Sequence, residues 1–286
     1  MNRSRSGEKL TIKSAIESGS TNLRHLGNGR LDSELILGHV LNLSRVKLYI
    51  NLELNLQKNE QKLFKYLIKK RQTGIPTPYL TGTAYFWSMK FLVTQDVLIP
   101  RPETEILVEN ALSLLKNSND FIVADLGTGS GAISGAIASE FSKARILAID
   151  TSESAIKIAK KNFQRLELDN IDCIVSDWNT ALRKSAASLI VANPPYVSCS
   201  ETNHIDQEIL AEPQSSIFAR DNGLADIKAI ISTSNFSLKK NGYLLIEHGF
   251  RQGRDVRNYF LEKGFSSVVT RRDLSGHERV TLGRKN

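Results

Sequence analysis

Phe121-Ile122-Val123-Ala124-Asp125-Leu126-Gly127-Thr128-Gly129-Ser130-Gly131 is an apolar run that meets an acid and breaks into three alternating glycines. The run reads as a strand over 121–125, and Gly131 to Phe141 as the helix that follows. Glycines at every second position let the backbone take φ values closed to other residues and approach a ligand closely. The helix N-terminus behind them offers free N–H groups. Asp150 closes the next strand, 19 residues after Gly131, where an acid can accept both ribose hydroxyls of a nucleoside. Gly127, Thr128, Gly129, Ser130, Gly131 and Asp150 are therefore candidate nucleoside-binding residues. Gly127, Gly129 and Ala132 also satisfy the dinucleotide pattern G-x-G-x-x-G/A, so a dehydrogenase competes on this signal. Asp125 would oppose a pyrophosphate but suits a cationic amino-acid moiety, which favours S-adenosylmethionine.

From residue 121 onward strands and helices alternate. Strands are expected over 145–150, 171–175, 188–192 and 243–247, with helices over 152–166, 223–238 and 251–263. This order gives an α/β fold with a parallel sheet and helices on both faces. Two late strands, 266–270 and 279–282, joined by a loop, make an antiparallel addition. Asp177-Trp178 follows the third strand. Asp177 or a nearby backbone group can meet an adenine edge with Trp178 beside the ring; equally, the pair is a turn acid next to a half-buried tryptophan.

Upstream, the first quarter reads as a small helical bundle. Leu10, Ile12, Ala15 and Ile16 suggest a helix ending near Gly19. Leu31, Leu35, Val40 and Leu41 recur at helical spacing, and Ser44 is a candidate N-cap for a helix with Val46, Leu48, Tyr49 and Ile50. Leu63, Phe64, Leu67 and Ile68 define another, with Lys69, Lys70 and Arg71 in its last turn. Pro76, Pro78 and Gly82 mark a linker. Tyr85-Phe86-Trp87 and Phe91-Leu92-Val93 then flank Ser88-Met89-Lys90 as a β-hairpin. The expected domains are 1–75 helical, 76–100 linker with hairpin, and 101–286 catalytic.

Asn193-Pro194-Pro195-Tyr196 ends the strand Ser188 to Ala192. Pro194 and Pro195 cannot donate to a ladder, and each fixes its own φ. Pro194 also drives Asn193 out of the α region. The stiff turn presents the Asn193 side-chain oxygen and the Pro194 carbonyl as two acceptors, with the Tyr196 ring as a flat wall. Such a set suits a planar –NH2 group with two protons to give. Asn193, Pro194 and Tyr196 are the candidate catalytic residues, with Pro195 added for substrate binding and Asn193 also near the cofactor. The bland alternative, a proline turn capped by Asn193, does not explain the combination of groups.

The chain's 286 residues allow two domains, and a hydrophobic fraction of 41% is ordinary for a soluble protein. The net charge of +8 lies wholly in residues 1–75, which carry 14 Lys and Arg against 6 Asp and Glu. That region is either a solvated lysine-rich surface or a docking face for an acidic or RNA-bound partner. Two cysteines, Cys173 and Cys199, form no disulfide framework and no zinc spacing, so a reducing cytoplasm is the simple reading. The N-terminus has no signal peptide character, and no apolar run is long enough to span a membrane. The five histidines show no metal spacing. Glu247-His248 at a strand end reads as a satisfied pair rather than a catalytic base. Val197 to Asn222, with Glu212-Pro213 inside it, is long and polar enough to be a lid.

Together, Leu98-Ile99-Pro100-Arg101-Pro102-Glu103-Thr104-Glu105, Asp125 to Gly131, Asn193 to Tyr196, Glu212-Pro213 and Gly242 to Gly249 resemble the HemK/PrmC family, the peptide chain release factor N5-glutamine methyltransferases. The resemblance covers nearly the whole chain, and the Ile99 to Glu105 stretch is its most specific part. It implies a Rossmann-like class I S-adenosylmethionine-dependent methyltransferase domain behind an N-terminal helical domain. It implies S-adenosylmethionine as donor, with S-adenosylhomocysteine as product, bound by Gly127 to Gly131, Asp150 and Trp178. The implied substrate is the glutamine of the Gly-Gly-Gln loop of class I release factors, held by Asn193 to Tyr196, with the N-terminal domain gripping the factor. Direct nucleic-acid binding is not expected, and the chain is read as a monomer. The competing activity is a nucleic-acid amino-methyltransferase acting on adenine N6 or guanine N2, because the Asn193 turn serves those amines equally well. Ala192 stands where serine is common in the family, and Ser134-Gly135 interrupts a helix usually richer in alanine and leucine; neither touches a proposed contact.

Overall fold

A computed structural model describes residues 10–115, 121–200 and 206–286. The chain divides into two compact units. The first runs through Gly82 and takes in Gln207–Ala211; the second holds 83–206 and 212–286.

Helices α1 (Ile12–Asn22), α2 (Gly29–Leu41), α3 (Arg45–Ile50), α4 (Lys58–Gln72) and α5 (Thr77–Thr81) make up the first unit. Thr11 opens α1 with a capping box to Ser14, and Ser44 caps α3 as its sequence suggests. The core of the unit is Ile12, Ile16, Ile36, Leu37, Leu48, Phe64, Leu67 and Ile68. The buried face of α2 is Gly29, Ser33, Ile36 and Leu37, whereas Leu31 and Leu35 are exposed. Val46, Tyr49, Ile50 and Leu63 also face outward, so the helical spacing of these residues marks a surface and not the core. Small residues explain the rotation of α2. A Cβ on Gly19 of α1 would lie 2.2 Å from the Ser33 Oγ and 2.9 Å from the Phe64 ring. Gly19→Ala should therefore destabilise the unit by about 1–3 kcal/mol through overpacking, read as a lower urea midpoint at unchanged m. The segment expected as a linker at 76–82 instead folds as α5. Its Thr77 hydroxyl donates to Asp32 Oδ1 at 2.7 Å, and Arg71 Nε donates to Asp32 Oδ2 at 2.9 Å. Both partners are buried, and pairing is what makes a buried Arg71 tolerable.

The second unit begins with the hairpin β1 (Thr83–Phe86) and β2 (Met89–Leu92). Its turn is Trp87-Ser88, with φ of 51° and 58°, rather than Ser88 to Lys90. Positive φ at both central residues matches the twist of the paired strands. Trp87 tolerates it because its backbone N–H donates to Glu105 Oε1 at 2.9 Å and its indole N–H to Glu140 Oε1 at 3.0 Å.

Then follow α6 (Glu105–Leu115), β3 (Ile122–Leu126), α7 (Ala132–Glu140), β4 (Arg145–Asp150), α8 (Glu153–Arg165), β5 (Ile171–Val175) and β6 (Ala187–Ala192). The short elements β7 (Val197–Ser198), α9 (Gln207–Leu210, in the first unit), β8 (Phe218–Ala219) and the turn-like α10 (Arg220–Gly223) come next. The chain closes with α11 (Ala225–Ser237), β9 (Leu238–Glu247), α12 (Gly253–Glu262), β10 (Phe265–Arg272) and β11 (Glu278–Lys285). Seven strands form one sheet in the order β10-β11-β9-β6-β3-β4-β5. The five from β9 to β5 are parallel, and β11 and β10 add antiparallel at one edge, as expected from the late loop. Strands β3 and β6 are buried almost throughout, which is why they read as continuous apolar runs.

Candidate active site

Registers across the sheet put Ile149, Leu126, Ala192 and Ile246 in one row. The next residue of each strand, Asp150, Gly127, Asn193 and Glu247, therefore reaches the same carboxyl edge. After β3 the chain builds toward β4 and β5, and later toward β6 and β9 on the other side. The loops diverge at that reversal and leave a crevice between β3 and β6, the usual ligand position in an open parallel sheet. A cavity of about 510 Å³ opens there. Gly127, Gly129, Asp150, Asp177, Trp178, Asn193 and Pro195 all line it. Thr128, Ser130, Gly131, Pro194 and Tyr196 are not among its lining residues.

The glycine loop is held from below by Asp125. This carboxylate is fully buried, and its Oδ2 accepts from the Thr128 hydroxyl at 2.7 Å, the Ser134 hydroxyl at 2.7 Å and the Ser134 backbone N–H at 3.2 Å. Ser134 thus touches the site indirectly, contrary to its reading as a departure without consequence. Burial pushes the Asp125 carboxyl up to about 6 despite those bonds. Asp125 Oδ1 has no hydrogen-bond partner among the described residues. Ser134→Ala removes the hydroxyl bond to Asp125 and leaves the backbone N–H in place, and should cost about 1–3 kcal/mol, measured by chemical denaturation.

The three glycines are not equivalent. Gly127 and Gly131 have φ of 76° and 83°, and a Cβ would meet Trp178 at 3.2 Å and Phe163 at 2.5 Å respectively. Gly129, with φ of 55°, has open space where a Cβ would go and lies on the cavity. Asp150 supports the loop as well as lining the cavity: Oδ2 accepts from the Gly129 N–H and Oδ1 from the Ser152 N–H, both at 2.9 Å. Each oxygen keeps a lone pair for a further donor. Asp177 is exposed at the cavity wall. Trp178 sits in the left-handed region at φ 42° and lines the cavity together with Asp226, whose carboxyl burial raises. Asp226, on α11, was not evident in the sequence because nothing around it marks a site.

Asn193 turns its Nδ2 toward the Thr104 hydroxyl at 3.1 Å, so its Oδ1 remains the free end of the amide. No group among the described residues donates to the Pro194 carbonyl. The Tyr196 carbonyl accepts from Gln252 Nε2 at 3.0 Å, and a Cβ on Gly223 (φ +83°) would lie 2.1 Å from it. Gln252 and Gly223 thereby set where the turn ends. The Tyr196 hydroxyl donates to Glu247 Oε1 at 3.4 Å, and burial holds the phenol protonated.

Glu247 and His248 are not a pair. They point to opposite faces of the strand end: His248 bonds the Gly249 carbonyl and the Thr281 hydroxyl, both at 2.9 Å, while Glu247 lies behind the Asn193 turn. Burial pushes the Glu247 carboxyl up to about 7. The Ile99 to Glu105 stretch, singled out for family specificity, works as a clamp. The Glu212 carboxylate accepts from the Ile99 N–H at 2.9 Å and pairs with Arg101, Thr104 meets Asn193, and Glu105 holds the hairpin turn. Anchored by Glu212, the segment expected as a free lid is fixed where Pro213, Ser215 and Ser216 line the cavity. Residues 201–205 of that segment lie outside the described residues.

Two family models match, the PrmC N-terminal domain over residues 14–82 and the Methyltransferase small domain over 103–223. The chain is 40% identical over 257 residues to the release factor glutamine methyltransferase of Shewanella oneidensis, covering 90% of each protein. The chain belongs to the release factor glutamine methyltransferase family. Its Escherichia coli relative of that name is 41% identical over 256 residues, covering 89% of this chain and 92% of the relative. Among solved structures, the hMettl16 catalytic domain in complex with the MAT2A 3'UTR hairpin 6 matches with a TM-score of 0.57. It is 16% identical, and the match covers 82% of this chain and 84% of that one, a likeness of fold alone. The family's methyltransferase domain thus accounts for the sheet order and for a site at its reversal.

Proposed function

We propose that this protein transfers a methyl group from S-adenosylmethionine to the side-chain amide nitrogen of the glutamine in the Gly-Gly-Gln loop of class I release factors. The single observation that carries the reading is the meeting of the glycine loop and the Asn193 turn on one cavity, within a chain 90% of whose length aligns with a release factor glutamine methyltransferase. The donor fits the residues present. Gly129 leaves room for close approach, Asp150 has lone pairs for ribose hydroxyls, Trp178 offers a flat face, and Asp125 keeps a buried unpartnered acceptor near the loop. S-adenosylmethionine supplies a methyl on a sulfonium, a leaving group that needs no metal and no strong base.

An amide nitrogen is a poor nucleophile because its lone pair is delocalised into the carbonyl. Asn193 Oδ1 and the Pro194 carbonyl accept hydrogen bonds from its two N–H groups, which fixes the plane of the amide and raises electron density on nitrogen; as the bond from nitrogen to the methyl carbon forms and the bond from sulfur to it breaks, the amide becomes cationic and loses one N–H proton to solvent. The Tyr196 ring packs against that plane, and its phenol, held protonated, takes no part as a base. The proline turn and the cavity wall from Pro213 to Ser216 limit water around the reacting atoms.

The N-terminal unit would hold the release factor. Its exposed Leu31, Leu35, Val46, Ile50 and Leu54 add apolar area to a region carrying the whole net positive charge. Free Cys173 and Cys199 suit the cytoplasm, where such a partner resides. Incubation with tritiated S-adenosylmethionine tests the reading. Label is expected in a class I release factor and not in the same factor with its loop glutamine changed to alanine. Label in RNA or DNA, and none in the factor, would replace it with the amino-methyltransferase of nucleic acid.

A further inference from the structure

Gln252 stands at the N-cap of α12, where a short polar side chain usually turns back to accept from the first free helix N–H groups. Gln252 makes no such bond. Its amide turns instead to the end of the Asn193 turn. Nε2 donates to the Tyr196 carbonyl at 3.0 Å and to the Asn222 carbonyl at 3.1 Å, and Oε1 accepts from the Gly249 N–H at 2.9 Å. Both amide protons are used. A flipped amide would set oxygen against two carbonyls and NH2 against an N–H, so its orientation is fixed. One side chain thus ties together the loop after β6, the turn of α10 and the loop after β9.

The backbone around Gln252 is shaped to bring these groups together. Asp221, Asn222 and Gly223 have φ of 56°, 53° and 83° in succession. Asp and Asn enter the left-handed region more readily than other side chains, yet two in a row persist only where their surroundings hold them. Here Gln252 holds the Asn222 carbonyl, and Lys228 Nζ holds the Asp221 carboxylate at 2.7 Å. The turn brings Gly223 so close that a Cβ would lie 2.6 Å from Gln252 Nε2 and 2.1 Å from the Tyr196 carbonyl oxygen. At Gly249 a Cβ would lie 3.1 Å from Gln252 Oε1 and 3.6 Å from Tyr196 Cδ2. Tyr196 is therefore held at two ends, its carbonyl by Gln252 and its phenol by Glu247.

We infer that Gln252 is a positioning residue for methyl transfer, which holds Tyr196 by its carbonyl so that the ring stays flat against the substrate amide. Gln252 does not line the cavity, so it acts through Tyr196 and not on the donor. An in-line displacement needs the nitrogen and the methyl carbon aligned, and a small movement of the wall behind the amide is felt as a loss of rate. The inference rests on the proposed methylation of an amide at the Asn193 turn.

Two variants of the full chain test it. Gln252→Met keeps the length of the side chain and removes all three bonds; Gln252→Glu keeps an acceptor for Gly249 and removes both donors. The first measurement needs no release factor. With 3-fluorotyrosine incorporated, the Tyr196 fluorine resonance, assigned by its loss in Tyr196→Phe, should shift or broaden in both variants. A resonance unchanged in either overturns the inference whatever the substrate proves to be. The second measurement uses release factor and S-adenosylmethionine at saturation. Both variants should lower kcat about 10–100-fold, with S-adenosylmethionine affinity by calorimetry within a few-fold of wild type. A merely structural role would weaken donor binding and turnover together. Wild-type kcat in either variant, or a loss of S-adenosylmethionine affinity as large as the loss of kcat, sinks the inference. A wild type that binds S-adenosylmethionine but labels no release factor, with the Tyr196 resonance moved in both variants, would instead count against the substrate reading alone.

Discussion

Asn193→Ala should reduce kcat for methyl transfer by about 10²–10³-fold while leaving the affinity for S-adenosylmethionine within a few-fold of wild type. The asymmetry follows from the site's construction. Asn193 is one cavity wall among several, and the loop from Gly127 to Gly131 with Asp150 stays intact without it. The substrate amide, by contrast, loses one of two acceptors. Its remaining proton is left unsatisfied in a site shielded from water, and its plane is no longer fixed. Single-turnover kinetics with pre-bound cofactor separates the chemical step from binding. Wild-type turnover in the variant would remove the Asn193 turn from the chemistry altogether.

Gly131→Ala should damage the fold rather than the cofactor contact. The residue has φ of +83°, and its Cβ would lie 2.5 Å from the Phe163 ring and 3.2 Å from Ala159. A left-handed alanine costs about 1–3 kcal/mol and overpacking against α8 a similar amount, for a sum of about 2–6 kcal/mol. That is a large part of the 5–15 kcal/mol that holds an ordinary domain. Gly129→Ala supplies the contrast. Its Cβ meets nothing within 4 Å, so the stability loss should be only the backbone term, about 1–3 kcal/mol, yet a methyl enters the cavity where the donor must approach. Calorimetry and urea denaturation of the two variants should therefore show binding lost in Gly129→Ala and stability lost in Gly131→Ala. The reverse pattern would mean that the loop meets its ligand elsewhere.

Much of this architecture was legible in the residues because the signals were local. A continuous apolar run that breaks into glycines can only be a buried strand entering a tight turn, and two prolines after Asn193 can only end one. The adjacency of those two turns needed topology: Leu126 lies beside Ala192, although 66 positions separate them in the chain. Where sequence misled, a tertiary contact had overruled local spacing. Leu31 and Leu35 keep helical periodicity, but Gly29 and Ser33 let α1 pack closely and turn the other face of α2 inward. The hairpin turn fell on Trp87-Ser88, which carries no turn residue of the usual kind and is held by Glu105 and Glu140 from distant helices.

The supporting residues of the site were least legible. Thr104 belongs to the stretch that points most strongly to the family, yet nothing in that stretch says its hydroxyl meets Asn193, 89 residues on. Ser134 looked like a weakness in a helix and proves to clamp Asp125. Glu247 next to His248 suggested a satisfied pair. The alternation of a strand sends adjacent side chains to opposite faces, so the acid and the base that look paired on paper never meet. Glu247 turns instead to the back of the substrate turn, a placement that only the register of β9 against β6 and β11 decides.

The most direct test of the central claim is mass spectrometry of a class I release factor after incubation with this protein and S-adenosylmethionine. One added methyl is expected, on the glutamine of the Gly-Gly-Gln loop, absent when the enzyme carries Asn193→Ala. A release factor that stays unmodified while RNA or DNA in the same mixture gains methyl groups on exocyclic amines would contradict it.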